Sequence, residues 1–359
     1  MMRIFNLNSN KNSLFRQNWN KFKSYKKGYY SLIILITLFI LSYFAPVFIG
    51  NRALIVRYNG EYYFPIFKNY PAEIFNQYKI SKAGNNKEPL YGDANYRLLK
   101  RQFSESKSDN WLLLPLYPYG AEETLLEEIN ENPPSNPEKE HIFGIDYSGR
   151  DVFSRVIYGF RISISFALIV FIISFAIGIF IGLIIGYYGG YMDIIGYRLI
   201  EVWMTLPFLY IVMIISSIIV PNFLILVIII SIFSWITISL YIRGEVYREK
   251  EKDYVIAAKA IGLPGRKILF HHIFPNSLNP VFSLAPFAII AHIGSLVALD
   301  FLGFGLPSPT PSWGQLLREG MNNLDKWWLI VFPILAITIT LTMVVLIAEA
   351  MRDSFNPKN

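Results

Sequence analysis

Reactive side chains are sparse in this chain, and their spacing does not suit catalysis. His271 and His272 are adjacent, so they cannot share a helix face as metal ligands normally do, and no metal site is expected. There is no cysteine, which removes disulfides, thiolate metal sites and cysteine nucleophiles together. Neither H-E-x-x-H nor G-x-S-x-G occurs. No G-x-x-x-x-G-K-[ST] loop occurs either, so a backbone cradle and lysine for a triphosphate would have to come from another chain. His292 stands alone in an apolar stretch with no carboxylate one helical turn away, and is expected to be a hydrogen-bonded packing residue rather than a proton relay. Glu201, Asp300 and Glu349 fall near the ends of apolar runs, so a coupled ion is not indicated.

The elements around these residues are apolar. The 359 residues are 53% hydrophobic and only 16% charged, well below the roughly 25% of an average soluble domain. Six runs are long enough to cross about 30 Å of hydrocarbon: Ser31 to Ile49, Ile162 to Tyr187, Leu199 to Val220, Phe223 to Tyr241, Val281 to Leu302 and Trp328 to Ala348. The expected fold is an all-α polytopic membrane protein. Arg3, Lys11, Arg16, Lys21, Lys23, Lys26 and Lys27 precede the first run without an acid among them, which places the amino terminus in the cytoplasm. The first run is longer than a signal peptide's apolar region and meets Phe44-Ala45-Pro46, so it reads as an uncleaved anchor. The loop 242–279 then falls inside and is basic (Arg243, Arg248, Lys250, Lys252, Lys259, Arg266, Lys267), whereas the outer segment holding Glu122, Glu123, Glu127, Glu128, Glu131, Glu138 and Glu140 is acidic. The net charge of +7 therefore follows membrane topology rather than nucleic-acid binding. The expected division is a basic cytoplasmic segment at 1–28, a first span at 29–49, an extracytoplasmic insertion at 50–161, a five-span core at 162–348 and a cytoplasmic tail at 349–359.

The insertion is too long to be a bare connection. Asn59-Gly60 between Leu54–Tyr58 and Glu61–Phe64 predicts a β-hairpin; residues 81–109 read as loop, and Asn132 to Pro137 as an extended linker. In the second span Ser174, Gly178, Gly182, Gly186 and Gly190 recur every fourth residue, a smooth stripe on which another helix can pack closely. Pro207, Pro275, Pro280 and Pro286 sit in or beside spans, where kinks are expected.

The inner loop carries the most specific pattern. Asp253 to Gly262 reads as a short helix with an acid in its first turn, a surface of Ala257, Ala258 and Ala260, and a stop at Gly262 and Pro264. Composition alone leaves open a solvated connecting helix. The spacing of Ile256-Ala257-Ala258, Gly262 and His272-Ile273-Phe274-Pro275 resembles the cytoplasmic loop of the inner-membrane permeases of ATP-binding-cassette importers (E-A-A, three residues, Gly, nine residues, I-x-L-P). It departs from that pattern at Ile256 and His272 in the manner of peptide-type members, whose loop looks like D-Y-V-x-A-A and H-I-x-P-N. Gly144-Ile145-Asp146-Tyr147-Ser148-Gly149-Arg150-Asp151, Asp300 to Gly305 with Pro311-Ser312-Trp313-Gly314, and Arg352-Asp353 near Pro357 are similar to dipeptide and oligopeptide permeases. Asn51 to Val56 and Tyr62 to Pro65 resemble the subgroup handling microcin C.

The resemblance implies a MetI-like permease fold, with Asp253, Tyr254, Ala257, Ala258, Gly262, His272, Pro275 and Asn276 coupling to an ATPase and Gly178, Gly182 and Gly186 packing helices. It further implies a second, non-identical permease subunit, two ATP-binding-cassette domains that hold ATP and magnesium, an extracytoplasmic peptide-binding protein, and a place in the bacterial inner membrane. The chain itself is then expected to hold no cofactor and to be no enzyme; the rival readings are an ion-coupled secondary transporter, which would need buried charges or interrupted helices near midplane, and a membrane enzyme.

Overall fold

The computed structural model describes residues 7–80, 87–106, 109–126, 128 and 132–355; within the expected features, Arg3, residues 81–86 and 107–108, Glu127, Glu131 and Pro357 lie outside them. In chain order come α1 (Leu7–Ser24), α2 (Lys26–Tyr43), α3 (Ala45–Phe48), β1 (Ile55–Tyr58), β2 (Glu61–Tyr63), β3 (Tyr78–Ile80), β4 (Lys87–Pro89), α4 (Tyr96–Glu105) and β5 (Trp111–Leu113). The helices α5 (Val152–Tyr188), α6 (Gly190–Thr205), α7 (Phe208–Ile218), α8 (Phe223–Lys250), α9 (Asp253–Ala260), α10 (Gly265–Ile268), α11 (Phe274–Ser277), α12 (Asn279–Leu302), α13 (Trp313–Met321) and α14 (Trp328–Phe355) follow. Five of these are long and apolar enough to cross a membrane (α2, α5, α8, α12, α14), and α6 with α7 forms a sixth candidate bent by 69°.

The helix bounds differ from the apolar runs for local reasons. The first span starts at Lys26 and ends at Tyr43 instead of running to Ile49, because Pro46 must sit in the first turn of a new helix. The basic amino-terminal segment is itself helical (α1). The helix α8 outruns its apolar stretch by nine residues to Lys250, carried by the pairs Glu245–Arg248 and Glu249–Lys252 at i and i+3. The expected span Leu199 to Val220 is bent at Pro207, where a kink is expected, sharply enough to form two helices. Pro207 confines Leu206 to extended backbone (ψ 122°) and cannot donate into a continuing helix. Pro286, by contrast, is held inside α12, and Pro280 falls in its first turn, where no donor is missed.

The chain divides into two compact units. One comprises Met1–Thr37, Ser163–Pro307 and Leu335–Asn359, the other Leu38–Ile162 and Ser308–Ile334. In the first, the stripe on α5 meets α8: a side chain on Gly178 would meet Ile238, one on Gly182 would come within 2.5 Å of the Ser239 carbonyl, and one on Gly186 would press on Val246. The stripe ends there. Gly189 and Gly190 take φ of +64° and +52° and turn the chain into α6, so Gly190 is a corner residue and not a packing one.

The second unit holds the hairpin. β1 and β2 pair antiparallel with Tyr58 opposite Glu61, around Asn59 (φ +50°) and Gly60 (φ +88°), the two left-handed residues of a two-residue turn. The strand β5 pairs on the other edge of β1. Beneath the sheet lie Val56, Phe75, Tyr96 and Leu99. The stretch expected as loop from 81 to 109 contains β4 and α4; α4 is amphipathic, capped by the Asn95 side chain accepting from Leu98 N–H, and buries Tyr96 and Leu99. The expected linker is no free tether either, since the Ser135 carbonyl accepts from Ile145 N–H at 3.0 Å.

The Gly144–Asp151 segment and the Pro311–Gly314 segment meet in this unit. Asp146 accepts from Arg150 Nε at 2.9 Å, and Arg155 Nε lies 3.3 Å from the same oxygen. Arg150 reaches Ser308 Oγ, and Arg155 donates to the Pro309 carbonyl and to Gln315 Oε1. Trp313 Nε1 donates to the Val156 carbonyl at 2.9 Å. Asp146, Arg150 and Arg155 are all at most 2% exposed; burial of that depth is tolerable only because each charge is paired and hydrogen-bonded.

Candidate functional site

The inner loop builds its site from a hydrophobic anchor outward. Val255 and Ala258, three residues apart on α9, are buried against Ile242 and Val246 of α8, Ile268 and Ile273. Spacing of three on a helix puts both on one face, so α9 is held by that face and presents the opposite one. The expected surface of three alanines is thereby corrected. Ala258 is 4% exposed and belongs to the core, while Ala257 and Ala260 face out with Ile256 (53%) and Ile261 (75%). Around this small apolar face stand the exposed cations Lys252, Lys259, Arg266 and Lys267.

Asp253 opens α9 as its first residue, where a carboxylate favours the positive end of the helix. At the other end Leu263 N–H bonds the Ala258 carbonyl and Gly262 N–H the Lys259 carbonyl, a Schellman stop. Gly262 has φ of +78° and open space around its Cα, so glycine is required there by conformation and not by crowding.

Tyr254 is brought together with His272 and Asn276, 18 and 22 residues further along the chain. Asn276 Nδ2 donates to the Tyr254 hydroxyl at 2.9 Å and to the His272 carbonyl at 2.8 Å, and the Tyr254 hydroxyl donates to the Glu249 carboxylate. Partial burial and the Glu249 bond push the Tyr254 hydroxyl up to about 12, with Asn276 pulling the other way, so it is a fixed donor at neutral pH. Lys252 Nζ closes the network on Glu249 Oε1 at 2.5 Å. Glu249, 5% exposed, was not identifiable as a site residue, because in the sequence it is one acid within a mixed charged run. Pro275 acts on the backbone: it cannot donate to a carbonyl four residues back, and the helix widens into one π turn over Leu269–Ile273, with Phe274 N–H bonding the Leu269 carbonyl. Seven of the eight expected coupling residues thus line or shape one surface, and Ala258 anchors it.

Two features of the spans complete the picture. Beside the break between α6 and α7 lies a cavity of about 330 Å³ lined by Trp203, Met204, Phe208, Phe233, Ser234 and Thr237, a mix of rings and hydroxyls without a charge. His292, expected to be hydrogen-bonded, is 5% exposed, and its Nε2 has no hydrogen-bond partner among the described residues. Among the described residues no group of three His, Asp or Glu side chains lies close enough to hold a metal ion.

Comparison with known proteins agrees with this architecture. The family model for the inner membrane component of binding-protein-dependent transport systems matches residues 178–359, which takes in the glycine stripe, the bent pair and the whole inner loop. The inner membrane ABC transporter permease protein YejE of Escherichia coli is 36% identical over 94% of this chain and 96% of its own length. The peptidoglycan transport system permease protein YejE of Agrobacterium fabrum is 32% identical over 96% of the chain and 93% of its own. The oligopeptide transport system permease protein OppC of Escherichia coli is 37% identical over 62% and 74%, so the first two relatives also cover the insertion. The chain belongs to the family of inner-membrane, MetI-like permeases of binding-protein-dependent ABC transport systems.

Proposed function

We propose that this chain is one of two permease subunits of a bacterial inner-membrane importer for peptides, of the microcin C-handling subgroup, and that it performs no catalysis itself. The observation that carries the reading is the face of α9: a protruding surface of Ile256, Ala257, Ala260 and Ile261, ringed by cations and backed by a rigid anchor. Such a surface suits a groove with acidic edges on a soluble nucleotide-binding subunit, because small side chains let two backbones approach and the ring of charge orients the partner. Two such subunits would hold ATP and magnesium. Their closure, transmitted through α9, would shift the paired permeases from inward-facing to outward-facing, and an extracytoplasmic binding protein would deliver the peptide. The peptide class is supported by the printed functions of the relatives, several of which are dipeptide or oligopeptide permeases. The broken α6–α7 pair is a feature that ion-coupled carriers also use. Here, though, the adjoining cavity has no charge to bind an ion, which favours the ATP-driven reading.

The test separates the two faces of α9. Ala257→Arg leaves the anchor intact, and is expected to leave the amount of membrane-inserted protein unchanged while ATPase co-purification and peptide uptake fall at least about tenfold, the loss of roughly 1.4 kcal/mol of interface energy. Ala258→Arg instead buries a charge in the core and lowers the amount of folded protein. Retained ATPase capture and uptake in Ala257→Arg would refute the coupling role.

A further inference from the structure

The unit formed by residues 38–162 and 308–334 contains a cavity of about 530 Å³ that none of the roles above uses. It lies within the ~300–1,000 Å³ range of small-ligand sites. Its concavity comes from small residues: Gly50, Ala94, Gly120 and Ala121 form part of the lining, and a side chain on Gly120 would come within 3.1 Å of Asn51. One wall is braced from behind, because Arg97 holds Glu123 with two hydrogen bonds of 2.9 and 2.6 Å and also binds Glu128.

The charges on the lining are unusual for this unit. Its deeply buried arginines each meet a carboxylate, Arg97 those of Glu123 and Glu128, and Arg150 and Arg155 the shared one of Asp146. Arg161, partly buried on the cavity wall, forms no ion pair with a carboxylate among the described residues. Its guanidinium lies 4.9 Å from the Tyr158 ring and 5.7 Å from the Tyr43 ring, with one 3.5 Å contact to the Ser42 carbonyl. A planar cation stacked on rings keeps its in-plane donors free for a carboxylate. Arg52 and the acids Asp93 and Glu122 line the same cavity, and among the described residues none of the three forms an ion pair. The Tyr96 and Tyr158 side chains line the same cavity. A concave site lined by charged side chains of both signs and by tyrosines is complementary to a molecule that is itself a zwitterion with an intervening chain.

We infer that this cavity binds a short peptide by its two free termini, the carboxylate on Arg161 and Arg52 and the ammonium on Glu122 and Asp93. It is a waiting site on the insertion, apart from the cavity beside α6 and α7. The ligand class rests on the peptide-permease reading above. A phosphatidylethanolamine headgroup carries the same pair of charges, but most of the lining comes from the insertion, at 50–52, 66–70, 93–96 and 120–123, and this favours a soluble ligand.

The assembled importer, in nanodiscs of phosphatidylglycerol alone, is exposed to a benzoylphenylalanine-containing tripeptide, irradiated, and the adducts are mapped. Adducts are expected within 66–70, 93–96 or 120–123. Free trialanine should compete with them at least tenfold better than trialanine capped by N-acetyl and C-amide groups. Glu122→Gln and Arg161→Gln should each weaken labelling tenfold, and Arg52→Glu, on the exposed rim, should do the same if Arg161→Gln fails to fold. Labelling elsewhere only, equal competition by capped peptide, or displacement by phosphatidylethanolamine but not trialanine would overturn the inference. Uptake of the same tripeptide into sealed vesicles carrying that importer distinguishes the failures: uptake without labelling here sinks the waiting site alone, whereas no uptake at all sinks the peptide reading.

Discussion

Glu319 shows how a single side chain can report on the joint between two motifs. It projects from α13 toward the buried Asp146–Arg150–Arg155 group, with Arg150 Nη2 3.7 Å from its Oε1. Burial raises its carboxyl to about 7 and Asp146 adds to the rise, while Arg155 and Arg150 oppose it. The folded chain therefore holds a proton there that the unfolded chain, titrating near 4.5, has released. Native protein binds more protons across that interval, so this group's contribution is fully present below pH 4.5 and is lost as pH rises to about 7. Glu319→Gln is expected to flatten the pH dependence of thermal unfolding between pH 5 and 8 and to raise the midpoint at pH 8 by roughly 5 °C, given ~2–4 °C per kcal/mol for a unit of this size. Tryptophan fluorescence of the purified complex suits the measurement, because Trp313 and Trp328 both hydrogen-bond into this region. The motif residues were legible in the sequence as a family resemblance. That Asp146 would sit between two arginines of the same segment, with a glutamate from beyond residue 310 beside them, was not, because pairing across 170 residues leaves no local periodicity.

Helices make a different kind of claim, because a glycine matters in one only if something occupies the space its missing side chain leaves. Gly182 on α5 and Gly244 on α8 test this within one unit. A Cβ on Gly182 would lie 2.5 Å from the Ser239 carbonyl oxygen, a backbone atom that can move only with its helix, whereas a Cβ on Gly244 meets nothing within 4 Å. Gly182→Leu is therefore expected to separate α5 from α8, lowering the yield of folded permease and abolishing uptake, while Gly244→Ala leaves both at wild-type level. Normal assembly and uptake in Gly182→Leu would show that the stripe is neither a packing surface nor a sliding one. The stripe was readable because small-residue spacing of four is itself a helical period. A kink at Pro207 was readable from the proline itself, but its size, 69°, was not, since the run Leu199 to Val220 is apolar on both sides of it and hydropathy is blind to a bend. The helix α4 was missed for the opposite reason: its ten residues include three basic side chains and two of Gln and Glu, and its apolar face is visible only as Tyr96, Leu99 and Phe103 at spacings of three and four.

At the scale of the whole chain, the asymmetry of charge is the one property that helices alone do not dictate. Seven cations in the loop 242–279 and seven glutamates in the segment 122–140 predict an orientation with that loop in the cytoplasm, through the bias toward Lys and Arg on that side. Nothing in the packing of the spans would differ if the molecule were inserted the other way up. The absence of cysteine makes this directly measurable, because any introduced thiol is unique. Phe67 is 85% exposed and Arg266 is exposed after α9, and neither belongs to the buried cluster of Val255 and Ala258 or to the buried ion group. In intact spheroplasts, Phe67→Cys is expected to react completely with a membrane-impermeant maleimide. Arg266→Cys should react at least tenfold less until the membrane is permeabilised. The reverse pattern would invert the topology, moving α9 to the side of the membrane that has no ATP and removing the physical basis on which a nucleotide-driven subunit could act on it.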